Sequence, residues 1–289
     1  MTHPFNRITL GVFACTAILS IAIKSFAAEP PVVEQLLEQA EQSAAINKPD
    51  EALKLLDQVI TAAPANQKAL LLRAALRQQV KDWAGALADA DKVLELAPHR
   101  VDLKLGRGVS HFMLGHIAES LKDFDAYAAT YPQQSPQLWQ RGIALYYAGK
   151  FDEGAKQFEE HRTVNPDDVE NSAWHFACVA RSKGVEAARK VLIPSAGDAR
   201  VPMMKVLDLY AGKATIDDVF AAAKDPALKN RTLPVRMFYA HLYVGLYYDA
   251  TGEPAKAKEQ MAIAAEKYVL TDYMHGVAKV HGMVRAEKK

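Results

Sequence analysis

The stretch PDEALKLLDQVITAAPAN, Pro49 to Asn66, recurs three more times along the chain. WAGALADADKVLELAPHR begins at Trp83, IAESLKDFDAYAATYPQQ at Ile117 and FDEGAKQFEEHRTVNPDD at Phe151, each 34 residues after the copy before. Pro64, Pro98, Pro132 and Pro166 keep that step, as do the small residues Ala52, Ala86, Ser120 and Gly154. A fixed period of this size marks a repeat architecture with one supersecondary unit per period. The pattern predicts two antiparallel helices per unit. A small residue near the start of the second helix lets it cross the first closely, and Ala40, Ala74, Gly108 and Gly142 serve the same end on the first. Leu56, Ala90, Phe124 and Phe158 fill the space between the two helices. The proline ends the second helix and turns the chain into the next pair. One pair cannot bury its apolar face alone, so the units must stack.

A 34-residue period closed by proline resembles the tetratricopeptide repeat family. The resemblance implies an all-α fold, an α-solenoid in which helix-turn-helix repeats wind into a right-handed superhelix. Four repeats are expected over 33–66, 67–100, 101–134 and 135–168, within a segment 28–168. Beyond Asp168 the register is read as lost while helical patterning continues, giving divergent helical hairpins over 169–235. A degenerate repeat-like pair with a capping helix is expected over 236–289, where Gly245, Gly252, Ala257 and Met261 return at repeat spacing. The stretch FYAHLYVGLYYDATGEPAKAKEQMAIA and a final helix containing His275 are similar to the periplasmic tetratricopeptide lipoproteins of the new lipoprotein I family. Members of that family act as homodimeric scaffolds that bring envelope proteases and peptidoglycan enzymes together. The present sequence departs from it in lacking a convincing lipobox.

Composition agrees with a helical, globular chain. Half of the 289 residues are hydrophobic, and 35 basic residues face 34 acidic ones. No basic block is present, so capture of nucleic acid is not expected. At the N-terminus, Arg7 precedes the apolar run Ile8–Ile23, and Ser25 and Ala27 suit cleavage before Ala28. Residues 1–27 therefore read as a signal peptide for export to the periplasm or cell envelope. Membrane association would require retention of that segment or lipidation at Cys15. Cleavage removes Arg7 and Lys24 and no acid, taking the formal charge from +1 to −1. It also leaves Cys178 without a cysteine partner, so no intramolecular disulfide is expected.

The resemblance places the binding surface on the concave face, at positions 2, 5, 9 and 12 of each first helix. Those positions hold an apolar stripe that turns aromatic: Leu71, Leu105, Val109, Phe112, Trp139, Ile143 and Tyr146. The Lys/Asn clamp that some repeat proteins use for a terminal carboxylate is absent. The stripe predicts a groove for a protein or peptide partner, with an envelope protease or peptidoglycan enzyme as the family example. Alternatively, the chain covers the stripe itself with its C-terminal helices or by forming a homodimer, because large exposed apolar patches are uncommon on monomers.

Catalytic readings find less support. His175 and Cys178 lie three apart in NSAWHFACVARSKG and share a helical face. A thiol-dependent enzyme is the alternative that the pair raises, and a self-assembling structural protein is another. Trp174, Phe176 and Val179 surround the pair with apolar residues, which favours packing. His175 is expected to bond a carbonyl or Asp198. Asp123, Asp125, Glu159 and Glu160 are placed on the outer face, GDAR at 197–200 in a charged turn, and His116 in the turn of its repeat. No phosphate loop, nucleophile elbow or HExxH motif occurs, so neither catalytic residues, cofactor nor metal is expected.

Overall fold

A computed structural model describes residues 31–227 and 231–286. The signal-peptide and Cys15 readings fall outside the described residues. Among those described there are fifteen α-helices, one short 3-10 helix and no strand. None of these helices is long and apolar enough to cross a membrane.

The first eight helices form four hairpins: α1 (Pro31–Ala45) with α2 (Pro49–Ala62), α3 (Gln67–Gln79) with α4 (Trp83–Leu96), α5 (Leu103–Met113) with α6 (Ile117–Thr130), and α7 (Trp139–Ala148) with α8 (Phe151–His161). Each hairpin turns through a left-handed residue at the same repeat position: Asn47, Lys81, Gly115 and Gly149. Glycine adopts that conformation without a Cβ penalty, which suits the third and fourth turns. The close crossing of helices has a direct steric basis. A Cβ added to Gly142 would lie 2.6 Å from the Phe158 ring. Ala52, Leu56, Phe124 and Phe158 are all fully buried between paired helices, as the period requires.

The chain continues through α9 (Val169–Lys183), α10 (Val185–Lys190), α11 (Met203–Tyr210), α12 (Ile216–Lys224), α13 (Leu233–Ala250), α14 (Pro254–Lys267) and α15 (Tyr273–Ala286). Asp168 caps α9 by accepting from the Glu170 amide at 2.9 Å. Thr215 caps α12 through a complete capping box with Asp218. Helix α9 is buried from Asn171 through Ala180, and α13 from Arg236 through Leu246. Helices apolar on every side belong in an interior, and these two pack on each other at the centre of the C-terminal half.

The core divides in two. One cluster fills α1 to α3, and a much larger one runs from α5 to α15. Between them the contacts are polar. Gln78 donates to the Gly106 carbonyl at 2.7 Å and to the Ser110 hydroxyl at 3.0 Å. A ladder of arginines runs along the stack and through this seam. Arg73 joins Asp57 (2.7 Å) to Asp89 (2.6 and 2.9 Å), and Arg107 joins Asp91 (2.8 Å) to Asp123 (both 2.6 Å). Arg141 then joins Asp125 (2.7 Å) to Gln157 (2.9 Å). Every member steps by 34 residues, so each guanidinium ties the second helix of one repeat to that of the next. Asp123 is therefore buried at 1 % exposure, not set on the outer face as its helix suggested.

Candidate functional site

The seven stripe residues lie on three neighbouring first helices: Leu71 on α3, Leu105, Val109 and Phe112 on α5, and Trp139, Ile143 and Tyr146 on α7. The structure separates them into two groups. Phe112, Ile143 and Tyr146 are buried at 0 to 1 % exposure, while Leu71, Leu105, Val109 and Trp139 are half-buried. Of the two readings the sequence left open, Phe112 and Tyr146 follow the covered one, because the C-terminal helices of this same chain occupy their surroundings.

Helix α15 supplies most of the cover. The Tyr273 ring stacks on Phe112 with centroids 5.8 Å apart and meets Trp139 edge-on at 4.8 Å. A Cβ on Gly276 would lie 2.3 Å from the Met113 sulfur, so glycine lets α15 approach α5 this closely. Asp272 accepts from the His275 amide at 3.0 Å and fixes the start of the helix. Lys81 donates to the Leu270 carbonyl at 2.9 Å, holding the preceding loop against the second repeat.

A polar knot lies beneath these rings. The Asp249 carboxylate on α13 accepts from the Tyr146 hydroxyl at 2.6 Å and from Arg285 at 2.7 Å. Burial raises the Asp249 carboxyl, but the Arg285 charge and these hydrogen bonds outweigh it and hold the group below its ordinary range. Tyr147 and His281 Nδ1 pair at 3.3 Å, and burial lowers His281 to about 4, so its ring is neutral. Sequence reading missed Asp249, Tyr273 and Arg285, because nothing local marks three residues that meet only when the solenoid curls back on itself.

His175 and Cys178 do not form a reactive pair. His175 Nε2 faces Glu159 at 3.3 Å, in place of a carbonyl or Asp198. His175 and Glu159 stand 34 residues after Arg141 and Asp125, so the pair is a fourth rung of the ladder. The repeat register thus persists into α9, where the sequence seemed to lose it. The second acceptor is missing from this rung, since position 191 is Val191, 54 % exposed. Helix α10 stops at Lys190, and a cleft of about 320 Å³ lies where the rest of a second helix would pack. Burial lowers His175. The Cys178 sulfur is fully buried against Gly154, where a Cβ would come within 2.8 Å of it, and burial pushes the thiol up. A thiolate is the nucleophile and metal ligand, so this environment suppresses both roles. Cys178→Ser is expected to cost about 1–3 kcal/mol by burying a hydroxyl in an apolar site. Native Cys178 should resist thiol reagents until the chain is denatured. Rapid labelling of the native chain, followed by mass spectrometry, would count against this environment.

The GDAR turn is an ion-pair hub. Arg200 bonds Asp198, Asp168 and Glu170, and the Tyr243 hydroxyl donates to Glu170 at 2.5 Å. Burial pushes the Glu170 carboxyl up from its ordinary value to about 7, partly offset by Arg200 and reinforced by Asp168. A raised carboxyl contributes stability in its neutral form. That contribution is complete below about 4.5 and is lost as pH rises through 7. The slope of unfolding free energy against pH over this window should flatten in Glu170→Gln, measured by urea titration at successive pH values. An identical slope in the variant would contradict the assignment.

With this geometry in place, comparisons place the chain among known folds. The tetratricopeptide repeat family model matches residues 76–135. No curated protein sequence matches the chain. A tetratricopeptide repeat protein from Parabacteroides merdae is similar over 89 % of this chain and 100 % of that one, at 16 % identity and a TM-score of 0.60. MamA from Desulfovibrio magneticus RS-1 matches 56 % of this chain and 92 % of its own, at 16 % identity and a TM-score of 0.51. YrrB, described as a tetratricopeptide repeat protein with an unusual peptide-binding site, matches 70 % and 96 %, at 15 % identity and a TM-score of 0.50.

Proposed function

From a chain built as a tetratricopeptide solenoid, we propose a non-enzymatic scaffold that holds a protein or peptide partner in the cell envelope. The observation that carries this reading is the half-exposed remainder of the concave stripe. Leu71, Leu105 and Val109 stay partly accessible beside a face that α13 and α15 have otherwise filled. An apolar strip of this kind suits one side of an extended or helical peptide. A peptide-binding site in the structurally similar YrrB supports the reading by analogy of fold. Export rests on the N-terminal sequence, and an envelope protease or peptidoglycan enzyme is the partner class that the lipoprotein resemblance suggests.

Crosslinking and affinity capture from the native envelope fraction tests the proposal. A defined partner should be recovered by the wild type and lost with Leu71→Asp, Leu105→Asp. Retention of that partner by the double variant would move the docking site elsewhere. Recovery of this chain alone would favour the self-assembling alternative.

A further inference from the structure

The layer of second helices breaks off at α10. Helices α2, α4 and α6 each run 14 residues and α8 runs 11, but α10 runs only 6, although it begins at Val185, 34 residues after α8 begins at Phe151. Pro194 explains the stop. In a continued helix its ring would clash with the Lys190 carbonyl and its missing N–H would leave that carbonyl unbonded. It also disfavours helical backbone at Ile193. The chain therefore leaves the helical path at Val191 and cannot complete its own fifth repeat.

The repeats before it show what belongs in the open position. Each complete second helix sets an acceptor and then an apolar residue against the first helix of its own repeat: Asp89–Ala90, Asp123–Phe124 and Gln157–Phe158, all at 8 % exposure or less. The matching residues of the fifth repeat are Val191, 54 % exposed, and Leu192, half-buried. The cleft of about 320 Å³ lies here, lined by Glu159, Arg162, His175 and residues 191–194. A cavity of about 150 Å³ already holds a benzene ring, so this cleft is large enough for a phenylalanine side chain. Its charges are unevenly answered. Glu159 is engaged by His175, whereas Arg162 is exposed and its guanidinium has no ion pair or hydrogen bond among the described residues. The unanswered charge of the cleft is therefore positive.

We infer that this cleft is a second docking surface, separate from the concave strip, for an amphipathic helix of a protein partner that presents an Asp–Phe pair. The helix completes the fifth repeat in trans. Its phenylalanine takes the slot that Phe158 fills one repeat earlier, and its aspartate, at the slot of Gln157, meets the Arg162 guanidinium. Helix-in-groove recognition works through spaced anchors of this kind. Asp123–Phe124 is the same pair within the chain, so the sequence of α6 is a probe of the required pattern. The test uses the full chain and a fluorescent synthetic peptide of residues 117–130, IAESLKDFDAYAAT, bridged across its solvent face because so short a helix is marginal in water. Wild type should bind it saturably, one to one, by fluorescence anisotropy. The peptide carrying Phe124→Ala should bind about tenfold more weakly, as loss of a buried aromatic anchor predicts. On the protein side, Val191→Arg should obstruct the cleft and Arg162→Glu should repel the aspartate, each weakening binding several-fold or more. Both residues are exposed, so both variants should keep the fold, which circular dichroism verifies. The Leu71→Asp, Leu105→Asp variant should bind the peptide as wild type does. Absence of saturable binding by wild type, undiminished binding by Val191→Arg and Arg162→Glu, or loss of binding in the Leu71→Asp, Leu105→Asp variant would overturn the site.

Discussion

Arg107→Ala is expected to lower the free energy of unfolding by about 3–5 kcal/mol, because it strands a buried carboxylate. The Asp123 side chain is only 2 % exposed and receives both of its ladder bonds from Arg107. Desolvation makes the lone charge far more costly than the pair was favourable. The loss should also be uneven along the chain. Arg107 and Gln78 bridge the polar seam between the two apolar clusters, and a repeat stack is stable only as the sum of its units and their interfaces. Helices α1 to α4 should therefore lose protection first, visible as faster hydrogen exchange there than in α9 or α13. Arg100→Ala supplies the contrast. Arg100 pairs with Asp102 in solvent, at 34 and 45 % exposure, and its loss should cost no more than about 1 kcal/mol. Equal effects of the two substitutions, measured by chemical denaturation, would contradict the ladder's role.

Asp249→Ala should be comparably damaging, by about 3–5 kcal/mol, and should act on the opposite end of the molecule. Asp249 is 4 % exposed and answers both the Arg285 charge and the Tyr146 hydroxyl. Its removal leaves a largely buried guanidinium without its carboxylate and a fully buried hydroxyl without an acceptor. Helix α15 contains two glycines, Gly276 and Gly282, each worth about 1 kcal/mol against helix formation. It therefore depends on docking for its order, and its amides should exchange faster in the variant. Asp249→Asn keeps an acceptor and should cost less. Tyr146→Phe removes only one hydrogen bond and should cost about 0.5–1.5 kcal/mol.

The repeat half of the fold was legible because its determinants are local and periodic. Proline, small residue and large apolar residue return every 34 positions, and each is explained by one helix crossing. The ladder was equally present in the sequence, as Arg73, Arg107 and Arg141 with Asp57, Asp91 and Asp125. A reading that sets acids on second helices in solvent hides it. The same holds for the fourth rung, where His175 and Glu159 stand in for an Arg–Asp pair and show that the period outlasts its consensus residues. The filled groove was legible only as one of two alternatives. Whether Phe112 and Tyr146 face a partner or Tyr273 and Asp249 depends on how far the superhelix curls. That curl brings together residues more than a hundred positions apart, and no local pattern encodes it.

The central claim is that α15 closes the aromatic half of the concave face and leaves only the Leu71–Val109 strip open. Native-state hydrogen exchange resolved to single amides addresses it most directly. The account predicts that the Val277–His281 amides are protected as strongly as those of Ile143–Tyr147 on α7, and that both lose protection together in Asp249→Ala. Exchange of Val277–His281 at the rate of an unstructured peptide, with α7 still protected, would contradict it. The groove would then be open, and Phe112, Trp139 and Tyr146 would return as its anchors.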